Sequence, residues 1–276
     1  MKKEPFVKRL IFLYLPLLVI MVFILFPFYW TFVTSIKPAD ELTIVSYWPS
    51  TVTFDSYKKL FTTTVDFMSA LKNSLIVAVG TTLVALISST LAAYAFSRYN
   101  FIGRKPLMSI FLCNNMFPTV LLLIPLYSIM RQLGLLFNPA SLILAYTTFT
   151  IPFSVWLLLG FLNDLPMSLE EAALVDGCNR GGAFLKIILP ILGPCMVATG
   201  VYIFMQSWNE YTFAMMFTNA DTRTIPVALN SLIGQLGVQW DLLTAGGILT
   251  IIPVCIMFFF AQKRLVEGLT AGAVKG

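Results

Sequence analysis

The sequence EAALVDGCNRGGAFLKIILP, residues Glu171 to Pro190, is a polar segment that separates two apolar stretches of the chain. The stretch before it covers Pro139 to Leu162, and the stretch after it covers Ile191 to Phe217. Each can cross a hydrocarbon core of about 30 Å as a helix, which takes roughly 20 residues. The segment between them should therefore lie at a membrane surface.

The composition extends this interpretation to the whole chain. Of its 276 residues, 58% are hydrophobic and 11% are charged, whereas a soluble domain is roughly 25% charged. Backbone groups in lipid need internal partners, so spans of this length should be helices, and the alternating pattern of a membrane barrel is absent. We predict an all-α integral membrane protein whose residues 1–276 form a single membrane domain. Six transmembrane helices are expected, over residues 10–33, 69–96, 107–129, 139–162, 191–217 and 242–262.

Charge sets the predicted orientation. Basic residues precede the first span, and the bulky residues from Phe26 to Trp30 that end it suit an interfacial belt better than a signal-peptide cleavage site. With the N-terminus inside, twelve of the eighteen lysines and arginines fall on inner segments. We therefore place both termini in the cytoplasm. This charge balance needs no nucleic-acid partner.

Several kinds of chemistry are not supported by the sequence. The chain has no histidine and four cysteines, none of them spaced for a metal site or an extracellular disulfide. It lacks the G-x-x-x-x-G-K-[ST] loop that cradles ATP phosphates. We expect no catalytic residue, no metal and no cofactor on this chain, so that any ATP-driven step would use a nucleotide site on another polypeptide.

The polar segment, residues 163–190, has its own helix boundaries. Pro166 ends the fourth span, and Ser168 with Glu171 forms the S-x-x-E pattern of a capping box. Gly177 suits a left-handed cap, and a second short helix should follow until Pro190 breaks it. From physics alone, these are two capped helices at a membrane interface.

Seven residues of this segment match a known signature: Glu171, Ala172, Ala173, Gly177, Ile187, Leu189 and Pro190. The pattern resembles the EAA motif of bacterial ABC importer permeases. That resemblance implies a coupling helix that fits a groove on a cytoplasmic ATPase subunit, where small alanines allow close approach. The coupling residues it implies are Glu170, Glu171, Ala172, Ala173, Asp176, Gly177, Leu189 and Pro190.

Two further stretches narrow the resemblance. The segment SWNEYTF, Ser207 to Phe213, is similar to the fifth span of carbohydrate-uptake permeases, and GLTAGAVKG, Gly268 to Gly276, is similar to the tail of the smaller, six-span permease of maltose-type importers. The resemblance implies a bacterial or archaeal plasma or inner membrane. It further implies a second permease subunit, two ATPase subunits that bind ATP and Mg, and an extracellular solute-binding protein. It also implies that the tail extends towards the ATPase dimer, and the alternative is a frayed end.

Polar residues within the spans mark a candidate translocation pathway, because such groups in lipid usually face a cavity or a partner. In the fifth span we predict that one helix face lines the pathway, with Tyr202, Gln206, Asn209, Glu210 and Phe213. Asn114 and Asn115 form a second polar break, in the third span. The alternatives are an interfacial girdle for the first set and helix–helix bonding for the second.

The outer loop from Thr218 to Asp241 is a candidate contact for the binding protein. In maltose-type relatives the corresponding loop enters the cleft of that protein, and the amides Asn230, Gln235 and Gln239 would suit a sugar-like cleft. The alternative is a plain connector between two spans.

The predicted function is ATP-driven import of a sugar or oligosaccharide, since aromatic rings and neutral amides suit sugars better than ions. A permease for a non-sugar solute is the alternative within the same mechanism. A stand-alone secondary transporter should show repeated halves or paired ionisable residues at mid-membrane, and neither is evident. An integral membrane enzyme would need a catalytic set, and none is visible.

Overall fold

The computed structural model describes residues 10–62, 66–234 and 237–273, and the side chains at positions 10, 112, 115 and 264–273 lie outside that description. Its helices follow in chain order: α1 Leu15–Ser35, α2 Asp55–Thr62, α3 Phe67–Arg98, α4 Arg104–Met116, α5 Leu123–Gln132, α6 Pro139–Asp164, α7 Ser168–Val175, α8 Arg180–Ile191, α9 Gly193–Trp208, α10 Thr212–Phe217, α11 Ile225–Asn230 and α12 Trp240–Ala273. One antiparallel hairpin pairs β1 Ile233–Gly234 with β2 Gly237–Val238. Shorter turns are π-helical at Leu10–Tyr14 and 3₁₀ at Ala39–Glu41 and Thr119–Leu122. The all-α prediction is confirmed.

Four helices in the described ranges are long and apolar enough to cross a membrane without a break. They are Ile11–Ser35, Phe67–Arg98, Pro139–Asp164 and Trp240–Lys263. These correspond to the predicted first, second, fourth and sixth spans. The other two predicted spans are interrupted, and in each of them a proline lies at or beside an interruption.

The third predicted span, 107–129, is not one continuous helix. The helix α4 ends at Met116, Phe117 is extended with φ −79° and ψ 131°, and a 3₁₀ turn leads into α5. Pro118 explains the break, because a proline disfavours a helical conformation for the residue before it and donates no amide hydrogen bond.

The fifth predicted helix, 191–217, is also interrupted. It bends by 74° between α8 and α9 and stops again after Trp208, before α10 begins at Thr212. Pro190 was predicted to break the preceding helix, but α8 continues through it to Ile191. The bend lies at Leu192 instead, where Pro194 in the next turn has no amide to donate to the carbonyl of residue 190.

The chain divides into two compact units, which we describe separately. The first consists of Met1–Phe67 and Ala228–Ile252, and the second of Met68–Val227 and Pro253–Gly276. In the first unit, the segment after α1 folds back on that helix. The amide of Thr53 donates to the carbonyl of Ile36 at 3.0 Å, and the hydroxyls of Ser35 and Tyr57 are 2.8 Å apart.

In the second unit, α6 packs through two apolar clusters. One contains Ala93, Phe96, Val155, Leu158, Leu162, Phe184, Ile188, Leu192 and Cys195. The other contains Val77, Met130, Leu142, Ala145, Tyr146, Phe213, Ala214 and Phe217. In lipid, such contacts stabilise mainly through close packing. The helix α6 therefore connects the α7–α8 region with the α10 region.

A glycine allows α3 and α6 to approach each other closely. A Cβ atom on Gly80 would lie 2.6 Å from Cδ1 of Ile143, so a larger residue would require that side chain to move. Small residues at helix contacts are typical of membrane bundles. This is one of the contacts that hold α6, which carries part of the site described next.

Candidate coupling surface and polar cavity

A left-handed glycine ends α7, as predicted. Gly177 has φ +85°. Its amide donates to the carbonyl of Leu174 at 3.1 Å, and the amide of Cys178 donates to the carbonyl of Ala173 at 2.9 Å. Asn179 then caps α8, because its Oδ1 accepts the amide of Gly182 at 2.7 Å. The two helices of this segment are therefore joined by a tight and specific turn.

The predicted capping box at the start of α7 is wrong. Met167 is the N-cap residue, Ser168 is already helical, and no side chain caps the helix. Backbone carbonyls take the first amides: Pro166 accepts from Leu169 at 3.3 Å, and Met167 accepts from Glu170 at 3.0 Å. These amides do not need a side-chain acceptor.

Instead, Glu170 links α7 to the end of α3 through an ion pair and a hydrogen bond. Its Oε1 lies 2.5 Å from Nε of Arg98, and its Oε2 accepts the hydroxyl of Tyr94 at 2.7 Å. The two charged side chains are only 6% and 13% exposed. Arg98 also donates to the carbonyl of Leu165 at 3.2 Å. Glu170 therefore faces its own chain, although the resemblance had placed it among the ATPase-coupling residues.

The exposed side of α7 is formed by other residues. Glu171, Ala172 and Asp176 are exposed, and Val175 is 87% exposed. Ala173 is buried, at 6% exposed, so the two alanines of the motif do not share one outward face. We name Glu171, Ala172 and Val175 the coupling surface. Leu189 packs against the first apolar cluster, and Pro190 is exposed on α8.

A second feature is a cavity of about 140 Å³ within the second unit. Its lining combines aromatic rings, hydroxyls, one amide and one carboxylate: Thr119, Tyr146, Phe149, Thr150, Tyr202, Gln206, Glu210 and Phe213. Four of these residues, Tyr202, Gln206, Glu210 and Phe213, were predicted from the polar face of the fifth span. The structure brings them together around one space.

Two predicted pathway residues lie elsewhere. Asn209 is exposed, donates from Nδ2 to the carbonyl of Met205 at 3.0 Å, and is not part of the lining. Asn114 is half-buried and also outside the lining, while the side chain of Asn115 lies outside the described residues. The backbone amide of Asn209 still donates to the carbonyl of Met205 at 3.1 Å, so its side chain is held by the bond to the same carbonyl and not by a change of helix face.

Glu210 has a structural role in addition to lining the cavity. Its carboxylate accepts the amide of Phe213 at 3.0 Å and that of Ala214 at 3.1 Å, and so caps the start of α10. Oε2 also accepts the hydroxyl of Tyr146 at 2.6 Å. A carboxylate is favourable at a helix N-terminus, where backbone amides lack partners. Much of the hydrogen-bonding capacity of Glu210 is therefore used inside the protein.

Sequence reasoning missed three residues of α6 in the lining: Tyr146, Phe149 and Thr150. They lie at positions i, i+3 and i+4, so they share a helix face. Hydroxyls at this spacing in an apolar span were a usable signal. Thr119 was missed as well, because it lies in the 3₁₀ turn after the unforeseen break at Pro118.

The amides proposed to contact a binding protein are on the surface of the first unit. Asn230 and Gln239 are exposed, and Gln235 lies outside the described residues. The segment is more ordered than a plain loop, since α11 is followed by the hairpin of β1 and β2. The amide of Gln239 donates to the carbonyl of the buried Leu232 at 3.1 Å.

Comparisons with known proteins place this geometry in a family. Residues 82–270 match the sequence model described as binding-protein-dependent transport system inner membrane component. The sulfoquinovosyl glycerol permease SmoH of Agrobacterium fabrum is 36% identical, with 91% of this chain and 89% of the relative covered. The trehalose permease SugB of Mycobacterium tuberculosis is 37% identical, covering 91% and 93%. The trehalose/maltose permease MalG of Thermococcus litoralis is 35% identical, covering 99% of both chains.

A solved structure shows the same fold. The crystal structure of a bacterial ABC transporter for import of the acidic polysaccharide alginate contains a chain that matches with a TM-score of 0.81 and 22% identity. The match covers 96% of this chain and 100% of that one. The family match spans both the coupling surface and the polar cavity. This chain therefore belongs to the family of binding-protein-dependent transport system inner membrane components.

Proposed function

We propose that this chain is one of two permease subunits in an ATP-driven importer for a neutral sugar or oligosaccharide. A second permease completes the pathway, two cytoplasmic ATPase subunits bind ATP and Mg, and an extracellular binding protein delivers the sugar. The proposed orientation has both termini in the cytoplasm. The three relatives described above are named for transport of glycosides or disaccharides, which supports a sugar as the solute.

The polar cavity is the observation that carries the choice of solute. Rings of Tyr202, Phe149 and Phe213 offer apolar faces, while Thr150 and Gln206 offer neutral polar groups. Sugars have apolar ring faces and many hydroxyls, so this mixture suits them. In the lining that the structure describes there is no lysine or arginine, and Glu210 is the one carboxylate. This arrangement favours a neutral sugar over an acidic one.

The α7–α8 segment supports the energy-coupling part of the proposal. A short helix with a glycine cap and a nearly buried ion pair to α3 is a rigid element. Its exposed side combines the small Ala172 and the apolar Val175 with the carboxylates of Glu171 and Asp176. Such a surface fits a groove on a partner protein, with Glu171 available for a basic residue. The resemblance to the EAA motif supports an ATPase subunit as that partner.

The exposed amides Asn230 and Gln239, beside the hairpin, are proposed to contact the binding protein. Gln235, between the two strands, belongs to the same proposal on the basis of the sequence alone.

Reconstitution of the complete complex in liposomes tests the function. ATP hydrolysis and sugar uptake are measured with binding protein preloaded with trehalose, maltose, sulfoquinovosyl glycerol or glutamine. We expect stimulation by a neutral sugar and its loss when Mg is chelated. Stimulation by glutamine alone would move the assignment to a non-sugar solute, and uptake without any ATPase subunit would contradict the importer mechanism.

A further inference from the structure

A buried lysine in the first unit lies in a pocket at the end of α1. The pocket has a volume of about 330 Å³ and is lined by Trp30, Thr31, Thr34, Lys37, Leu42, Thr43, Ile44, Val45, Trp240 and Thr244. Lys37 is 2% exposed. Its Nζ donates to the carbonyl of Ile44 at 3.1 Å and lies 5.3 Å from the ring centroid of Trp30.

The charge of this lysine has no close neutralising partner. Among the described residues, no carboxylate oxygen lies within 4.0 Å of Nζ of Lys37. Glu41 is near enough to be affected by this charge, but its carboxylate accepts hydrogen bonds from the amide and hydroxyl of Ser50. Those bonds, and secondarily the charge of Lys37, hold the pKa of Glu41 below its ordinary value. A buried ammonium without an anion is costly, so an anion from outside the chain would stabilise it.

Further donors face the same space. The hydroxyls of Thr31 and Thr244 donate hydrogen bonds to carbonyls of their own helices, those of Pro27 and Trp240. Thr34 and Thr43 donate no side-chain hydrogen bond within the described part of the chain. An ammonium and two hydroxyls are suitable donors for an oxyanion such as a phosphate.

The position of the pocket indicates where the anion comes from. The apolar helix Ile11–Ser35 contains an 18-residue stretch with a mean hydropathy of 2.8, and no residue of that stretch is buried within the chain. Its 25 residues give a length of about 37 Å at about 1.5 Å per residue, which exceeds the hydrocarbon core of about 30 Å. Lys37 follows two residues later, so it lies at the level of lipid headgroups.

The rim of the pocket fits the same level. Val45 is 81% exposed and Ile44 57%, and Trp30 and the exposed Trp240 belong to the same lining. Tryptophan is enriched at membrane–water interfaces, where one side of the ring contacts acyl chains and the other contacts headgroups. Exposed aliphatic side chains beside a buried cation match the chemistry of a phospholipid.

We propose that this pocket binds the phosphate of an anionic phospholipid headgroup, with Lys37 as the cation and Thr34 and Thr43 as hydroxyl donors. The acyl chains lie along α1. The leaflet is the outer one if the orientation proposed above holds, but the binding itself does not depend on the transported solute.

The test measures lipid retained by the purified complex. Complexes with wild-type chain, Lys37→Met, Thr43→Val or Lys59→Met are placed in nanodiscs of equal phosphatidylglycerol and phosphatidylcholine, then extracted, and bound lipid is counted by native mass spectrometry. We expect Lys37→Met to retain about tenfold less phosphatidylglycerol, as loss of one charge-assisted contact predicts. Lys59 is an exposed lysine of the same unit, so Lys59→Met should match wild type.

Other outcomes overturn the proposal. Equal phosphatidylglycerol on wild type and Lys37→Met, or no preference over phosphatidylcholine in wild type, would exclude the site. Glycerol 3-phosphate that binds in place of lipid would show a soluble anion instead. Loss of the partner permease or of binding-protein affinity in Lys37→Met, with lipid unchanged, would assign the lysine to a protein contact. If Lys37→Met does not assemble, the variant Thr43→Val tests the proposal, because Thr43 is exposed. We expect this variant to retain about threefold less phosphatidylglycerol, and equal retention would exclude the site.

Discussion

Arg98 and Glu170, 72 residues apart in the chain, form an ion pair with an Nε–Oε1 distance of 2.5 Å. The pair joins the last residue of the membrane-spanning α3 to the first turn of α7. Because both side chains are nearly buried, the pair holds the start of α7 against the end of α3.

Glu170→Gln should destabilise the protein, because it leaves the buried Arg98 without its counter-charge. Breaking a buried pair in this way costs about 3 kcal/mol. Thermal unfolding of the purified complex should show a lower melting temperature, and sugar uptake should fall with it.

Glu171→Gln provides the matched control, one residue further along the same helix. Its side chain is exposed, so the free energy of unfolding should change by less than about 0.5 kcal/mol. We expect weaker copurification of the ATPase instead. Equal melting temperatures for the two variants would contradict the distinction between Glu170, which is paired within the chain, and Glu171, which is exposed to a partner.

Gly177→Val should damage the turn after α7 through backbone strain alone. A Cβ at this position meets nothing within 4 Å, yet φ of +85° is strained for a side chain, at about 1–2 kcal/mol. ATPase copurification and uptake should both decline.

Asparagine tolerates the left-handed region better than valine does, so Gly177→Asn should keep most of the activity. Gly181→Ala is a second control, since this glycine is helical and an added Cβ would lie 3.7 Å from Oδ1 of Asn179. If the valine and asparagine variants behave alike, the left-handed conformation is not what the function requires.

Glu210→Leu should destabilise α10, because the change removes the acceptor for two backbone amides and for the hydroxyl of Tyr146. We expect a loss of about 3 kcal/mol, against about 1 kcal/mol for Tyr146→Phe, which removes one hydrogen bond. Denaturation of the complex measures both. If Glu210→Leu leaves the stability unchanged, Glu210 has no structural role and serves only the proposed pathway.

Much of the fold follows from local sequence. The errors arise at interrupting prolines and at contacts between residues that are distant in the chain. Long apolar runs identified four spans, and Gly177 identified a left-handed cap, because each depends on neighbouring residues. Pro118 and Pro194 interrupt runs that hydropathy averages across. The S-x-x-E pattern at Ser168 failed because Met167 is the N-cap residue and backbone carbonyls accept the first amides of the helix. Glu170 pairs with Arg98, and Glu210 with Tyr146, across 72 and 64 residues. One sequence does not specify such distant pairs.

Thr150→Val tests whether α6 contributes to sugar binding. The hydroxyl lies in the cavity lining and donates to the carbonyl of Tyr146 at 2.9 Å, which leaves its oxygen able to accept from a sugar. Thr148→Val removes an exposed hydroxyl with the same kind of helix bond, to the carbonyl of Leu144 at 3.0 Å. We expect uptake by the first variant to need about tenfold more sugar-loaded binding protein, with no change in the second. Equal uptake kinetics in the two variants would remove α6 from the pathway.

Cysteine labelling separates the cavity from the exposed surface beside it. In a background without the native cysteines, Gln206→Cys lies in the cavity lining, whereas Asn209→Cys lies outside it and is exposed. An impermeant thiol reagent should react with both in the outward-open state. Saturating sugar should slow the reaction at residue 206 and leave it unchanged at residue 209, because only the first site shares space with the sugar. Protection at both positions would mean that the pathway extends to Asn209, as the sequence had suggested. Absence of labelling at residue 206 under every nucleotide condition would mean that this face of α9 serves helix packing and that the sugar passes elsewhere.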